Sequence, residues 1–137
     1  MKVRKKGREI AFRMLFAIEA GGNKIADAMI PFKHESPVVL DFALHLVKGT
    51  LSQVKKIDRE IESIIINWKI ERLYLVDKQL LRLGIYEMDY EEDVEDGIVV
   101  FEAVELAKKY GDIDSPNFVN GILREHLRRR EHEVQKA

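Results

Sequence analysis

The sequence predicts an all-α fold, and three observations carry that prediction. Leu73 to Met88 is long, leucine-rich and free of proline, which favours helix over strand. Its apolar residues occupy two helical faces, Leu73, Val76, Leu80 and Leu83 on one and Leu81, Ile85 and Met88 on another. A helix apolar on more than one side must be covered by others, so this stretch reads as the central rod. The three prolines, Pro31, Pro37 and Pro116, stand where helices start or stop.

The other elements follow in order. Lys5 to Glu19 is the first helix, with Ala11, Met14, Leu15 and Ile18 on its core face and Gly21-Gly22 as its stop. Asn23 to Phe32 reads as a short helix capped by Asn23, with Ile25, Ala26, Met29 and Ile30 on one side. Ser36-Pro37 starts the next, whose stripe is Leu40, Ala43, Leu44 and Val47. From Val38 to Trp68 there is no proline and only Gly49, which fits two helices or one long helix broken near Gly49 to Ser52. Ile98 to Tyr110 carries the stripe Val100, Ala103, Val104 and Ala107 and stops at Gly111. Asp114-Ser115-Pro116 opens the last helix, which turns Val119, Ile122, Leu123 and His126 to the core. Gly121 lies inside it, and a mid-helix glycine costs about 1 kcal/mol relative to alanine, so a close backbone or a ligand is expected there. From about residue 128 the chain is too polar for core and reads as an exposed helical tail.

With 137 residues, 46% hydrophobic and 34% charged, the chain is one globular domain with a real core. No cysteine is present, which removes disulfides, thiolate metal sites and a cysteine nucleophile. No apolar run approaches membrane-spanning length, and the expectation is a soluble cytoplasmic protein.

The net charge of −1 conceals segregation. The start carries Lys2, Arg4, Lys5, Lys6, Arg8 and Arg13 against Glu9, and the end carries Arg124, Arg128, Arg129, Arg130 and Lys136. Glu87 to Asp96 is acidic without a base. It is not a calcium loop: counted from Asp89, the sixth position is Val94 where the turn needs glycine. Lys5, Arg8, Phe12 and Phe16 share a flank of the first helix, where cations would meet phosphates and rings would stack on unpaired bases. The same pattern also fits two core phenylalanines beside solvated cations. His126 shares no ligand spacing with His34, His45 or His132, so no metal site is read, and no nucleophile–base pair or glycine-rich phosphate loop supports catalysis.

Glu102-Ala-Val-Glu-Leu-Ala-Lys-Lys-Tyr-Gly111 with Ser115-Pro-Asn-Phe-Val-Asn-Gly-Ile-Leu123 resembles the NusB family of transcription antitermination factors. Val76-Asp-Lys-Gln-Leu-Leu-Arg-Leu-Gly-Ile-Tyr-Glu87 is similar to that family's central helix, and Arg8-Glu-Ile-Ala-Phe-Arg-Met-Leu-Phe16 to its basic first helix. Ile57-Asp58 and Trp68 agree as well, so the resemblance spans essentially the whole chain. It implies a bundle of about seven helices in two packed subdomains, and a binding protein without cofactor rather than an enzyme. It further implies binding of boxA-type single-stranded RNA together with a small ribosomal subunit protein, NusE, in the RNA polymerase antitermination complex that supports ribosomal RNA transcription. Carried over residue by residue, the RNA side maps to Lys5, Lys6, Arg8, Phe16, Asp114 and Phe118, with Phe12 added from the flank above. The partner side maps to Glu87, Arg82 and Asp77, taken as the accessible edge of the central helix. The unpaired N–H groups at the start of the last helix are expected to face a phosphate. Phe101 replaces the family's usual asparagine, Phe16 its usual tyrosine, and Gly7 a common alanine, which suggests a later helix start. A helical protein–protein adaptor, or the related module of RNA cytosine methyltransferases, are the competing readings. Whether the protein is a monomer or a homodimer stays open.

Overall fold

The computed structural model describes residues 2–136, all but the side chain of Lys136. Among them there are helices, turns and no strands. The chain divides into two compact units, Met1–Ser52 and Gln53–Ala137.

In the first unit, α1 (Lys2–Gly21) packs on α3 (Pro37–Ser52), with the single-turn α2 (Ile25–Ala28) and a 3-10 turn, Ile30–Phe32, connecting them. The buried face of α1 is wider than the expected stripe: it takes in Gly7, Arg8, Ile10 and Phe12 as well as Ala11, Met14 and Leu15. Gly7 does not delay the helix, which begins at Lys2. It makes room instead, because a Cβ there would stand 2.5 Å from Cδ2 of Phe42 on α3. The short helix differs from expectation. Asn23 is no cap; its amide donates to the Ala17 carbonyl at 3.4 Å, and Lys24 holds the cap position. The chain is too tightly turned for one apolar stripe, so Ala28 and Phe32 are buried while Ile30 is 53% exposed. Ser36 caps α3 as read, accepting from the Val39 N–H at 3.4 Å. Thr50 sits in the core of this unit because its hydroxyl donates to the Leu46 carbonyl at 2.7 Å, leaving no polar group unpaired.

The long proline-free stretch resolves into two helices, since Gln53 leaves helical geometry between α3 and α4 (Val54–Ile64). In the second unit α4, α6 (Asp96–Tyr110) and α7 (Ser115–Lys136) all pack on α5 (Leu75–Tyr90). The enclosure of α5 is nearly complete: every residue from Val76 to Met88 is buried except Arg82. Gly84 brings α5 close to α7, a Cβ there lying 3.1 Å from both methyls of Leu123. Gly111 ends α6 where a Cβ would come within 2.8 Å of the Ala107 carbonyl oxygen. The polar end of the chain continues α7 to Lys136. No helix among the described residues is long and apolar enough to cross a membrane.

Candidate nucleic-acid interface

The turn into α7 is built by Asp112. Its Oδ1 accepts from the N–H groups of Asp114 at 2.9 Å and Ser115 at 3.0 Å, and from the Ser115 hydroxyl at 3.2 Å. The Ser115 Oγ accepts in return from the Asp112 N–H at 3.1 Å. The carboxylate that caps this helix is therefore Asp112, not Asp114, which stays exposed. The expected phosphate cradle is narrowed for the same reason. Two of the first N–H groups are taken by Asp112, Pro116 has none, and the Phe118 N–H bonds the Asp114 carbonyl at 3.0 Å.

Beside this turn the second unit opens a groove of about 360 Å³. Ile65, Leu73 and the rings of Trp68, Tyr74 and Phe118 give it apolar walls, while Arg72, Asp77, Asp112 and Asp114 edge it. Trp68 is 58% and Tyr74 48% exposed, a large area of ring surface to leave in water. Asp77 is 7% exposed, and its buried Oδ1 has no hydrogen-bond partner. Burial pushes its carboxyl above the usual aspartate range, a bond from Ser115 opposes this, and the Asp112 charge adds to it. An acceptor of this kind attracts a hydrogen-bond donor or cation, and the rings accept a flat group. Gly121, one turn beyond Phe118, has open space around it, so no neighbouring backbone explains the glycine.

The other expected residues divide. Lys5 and Lys6 are exposed, and Phe16 is half-buried. Lys6 Nζ lies 2.9 Å from Glu35, whose carboxyl is held below its usual value chiefly by that hydrogen bond. Arg8 is 5% and Phe12 2% exposed, so both belong to the buried face of α1 and offer no surface for RNA. Phe12 packs tilted against Phe16 at 6.4 Å. Arg4 lies over the Phe42 ring at 5.5 Å and Arg13 over Phe32 at 4.8 Å, so part of the basic flank is engaged in cation–π contacts.

On α5, the expected accessible edge is not there. Glu87 is 2% exposed. Arg82 donates through Nε and Nη2 to the two oxygens of Asp58 at 2.8 and 2.7 Å, a paired fork that ties α5 to α4. Of the three expected partner residues only Asp77 reaches a groove. Trp68, Tyr74 and Asp112 also line the groove, which spacing alone does not reveal. Trp68 looks like the end of an apolar stripe, and Tyr74 falls just before α5 rather than within it.

The sequence model of the NusB family matches residues 5–128. The transcription antitermination protein NusB of Geotalea daltonii is 40% identical over 136 residues, covering 91% of this chain and 94% of that protein. That of Sorangium cellulosum is 39% identical over 126 residues, covering 90% of each. Among solved structures, one chain from the crystal structure of antitermination factors NusB and NusE in complex with dsRNA is 29% identical, with a TM-score of 0.84 over 93% of this chain and 98% of that one. Proteins so named are transcription antitermination factors and not enzymes, and this chain, matched along almost its whole length, belongs to the NusB family.

Proposed function

We propose that this protein binds boxA-type single-stranded RNA together with a small ribosomal subunit protein acting as NusE. In this role it joins the cytoplasmic RNA polymerase antitermination complex on ribosomal RNA operons. The observation that carries the reading is the groove at the start of α7, lined by the rings of Trp68, Tyr74 and Phe118 and by Asp77, whose buried Oδ1 has no partner. A base stacks on such rings, Phe118 included, and the Asp77 carboxylate draws a donor from RNA or partner to the edge of the groove. The solved NusB–NusE–dsRNA complex of a relative supports both kinds of partner.

Within this reading Lys5 and Lys6 meet phosphates and Phe16 offers its half-exposed ring. Asp114 is an anion near the RNA and limits affinity. Arg8 and Phe12 hold α1 in place from its buried face. Asp77 serves the partner directly, whereas Arg82 and Glu87 act through the packing of α5.

The test is fluorescence anisotropy with boxA-type single-stranded RNA, a scrambled strand and a duplex, with and without the ribosomal protein, over a salt series. The reading expects the boxA-type strand to bind tightest, and tighter still with the protein partner present. Replacing Lys5 and Lys6 by alanine lowers the salt slope by about 0.7 for each phosphate that is no longer neutralised. Equal binding of all three RNAs removes the boxA assignment. No RNA binding at any salt, with retained binding of the ribosomal protein, makes the chain an adaptor instead.

A further inference from the structure

The outer side of α6 carries apolar surface that the protein's own packing does not use. Ile98 is 47% and Phe101 58% exposed. At i and i+3 they adjoin on the helix face opposite the buried Val99, Val100, Ala103 and Ala107. Gly97, exposed and with nothing near its Cβ position, leaves a notch one turn before Phe101. Single exposed apolar residues are ordinary, but two on one face beside a notch make room for a partner's side chain. Carboxylates rim this surface. From Glu91 to Glu105 the chain has seven acidic residues and no lysine or arginine. Three are engaged: Glu91 accepts from the Tyr86 hydroxyl at 2.9 Å, Asp96 from Arg130, and Glu105 pairs with Lys108 at 3.0 Å. Among the described residues, the side chains of Glu92, Asp93, Glu95 and Glu102 have no hydrogen-bond or ion-pair partner. Acids suit the first turn of a helix, which accounts for Glu95 and Asp96. It does not account for Glu102, which stands a turn further on, four residues after Ile98.

We propose that the start of α6 docks a lysine- or arginine-rich amphipathic segment of a protein partner. Its apolar side chains lie against Ile98 and Phe101, and its cations meet Glu92, Asp93, Glu95 and Glu102. Charge decides the occupant. An apolar pair alone would admit any apolar partner, whereas four carboxylates without a cation at its rim select a basic one and repel RNA phosphate. An amphipathic helix laid along α6 would present both features at once. The surface is separate from the groove. Arg130 bonds both the Met88 carbonyl and Asp96, so α6 starts beside the end of α5, while the groove is edged by Asp77 near its beginning. The rise along α5 from Asp77 to Met88 is about 17 Å at 1.5 Å per residue. A ligand in the groove and a protein segment on α6 can therefore be held together.

Fluorescence anisotropy on the full chain tests this with a labelled synthetic helix, leucines at i, i+3, i+4 and i+7 and lysines on the other face. Two control helices carry serine for leucine or glutamate for lysine. The expected result is saturable binding of one leucine–lysine helix per chain and none of the glutamate helix. Ile98→Ser with Phe101→Asn should weaken binding about tenfold or more, as loss of an aromatic anchor does. Glu92→Gln with Asp93→Asn and Glu102→Gln should weaken it at low salt and flatten its salt dependence. Both variants change exposed or part-exposed side chains, so circular dichroism should match wild type. RNA affinity should also be unchanged, which separates this face from the groove whatever the groove binds. No binding of the leucine–lysine helix, equal binding of the serine control, or binding indifferent to either variant overturns the proposal. Self-association of wild type in sedimentation that Phe101→Asn abolishes would put a second copy of the chain on this face, and overturns it too.

Discussion

The two halves of α7 carry charged clusters of opposite character. Around its first turn, polar groups are left incomplete: Asp77 Oδ1 is buried without a partner and three rings face an open groove. Past its midpoint, from Glu125 to Arg130, the charged groups are paired. Arg128 and Arg129 both donate to Glu125, Arg129 also to the Ser63 carbonyl, and Arg130 to the Met88 carbonyl, Asp89 and Asp96. Glu125 is accordingly held down to about 2, first by its bond from Arg128 and then by that from Arg129. A run of arginines looks like an anion site in the sequence, but these arginines already have their anions. A charged residue signals a partner when its bonds are missing, not when its neighbours share its sign. The contrast makes separate predictions for the two ends.

The largest expected effect is at the first turn. Phe118→Ala should weaken RNA binding by about 1–3 kcal/mol, or roughly 5–150-fold, if the ring stacks on a base. Anisotropy titrations on protein shown to be folded by circular dichroism check this. A variant that melts much earlier but binds RNA normally when folded would put Phe118 in the core.

At the other end Arg130→Ala should do the reverse. It removes charge-assisted bonds that tie α7 to the end of α5 and the start of α6, and a part-exposed group of this kind contributes about 1–2 kcal/mol. Stability in urea should fall by that amount while RNA affinity at fixed salt stays unchanged. A loss of RNA affinity with unchanged stability would move the interface to this end.

Asp77→Asn sharpens the comparison through pH. Burial raises the folded-state pKa of Asp77, so its contribution to stability is fully present below the unfolded value of 3.8 and is lost as pH rises through the folded value. Wild type therefore carries an ionised, poorly solvated carboxylate at neutral pH. The asparagine variant should be more stable by about 1 kcal/mol at pH 7 and lose that advantage under acid, seen in melts across the two conditions. Binding of the ribosomal partner should weaken at the same time. An unchanged Tm at pH 7 would mean that solvent already satisfies this oxygen.

The same contrast explains which features are legible in the sequence. Helix order follows from periodicity and prolines, because those are local, whereas the number stays open over residues 38–68 until Gln53 is seen to leave helical geometry. The central rod is readable because only a fully enclosed helix tolerates apolar residues on two sides, and α5 is buried along nearly its whole length. Side-chain fate depends on contacts that spacing does not carry. Arg8 and Phe12 sit on a plausible basic flank, yet the core face of α1 extends over them, in part because Gly7 admits Phe42. Glu87 reads as an edge of α5, but burial there leaves no free strip at its position. The groove is illegible for the converse reason: Trp68, Tyr74, Asp112 and Phe118 come from separate segments, and only their assembly leaves a carboxylate oxygen unpaired.

Gly121 gives the smallest and most discriminating test, because stability and function should move in opposite directions. It lies in α7 one turn past Phe118, exposed and with nothing near its Cβ position. Alanine there meets no steric obstacle and has the higher helix propensity, so Gly121→Ala should stabilise the protein by up to about 1 kcal/mol. That gain is forgone by the natural sequence at a position where the protein's own packing asks for no glycine. A ligand backbone lying along this face of α7 would supply the reason, since a methyl group would hold it away. The variant should therefore melt higher and bind RNA, or the RNA–partner pair, more weakly. A higher Tm with unchanged binding of both would show that the ligand track ends before Gly121 and is confined to the first turn of α7.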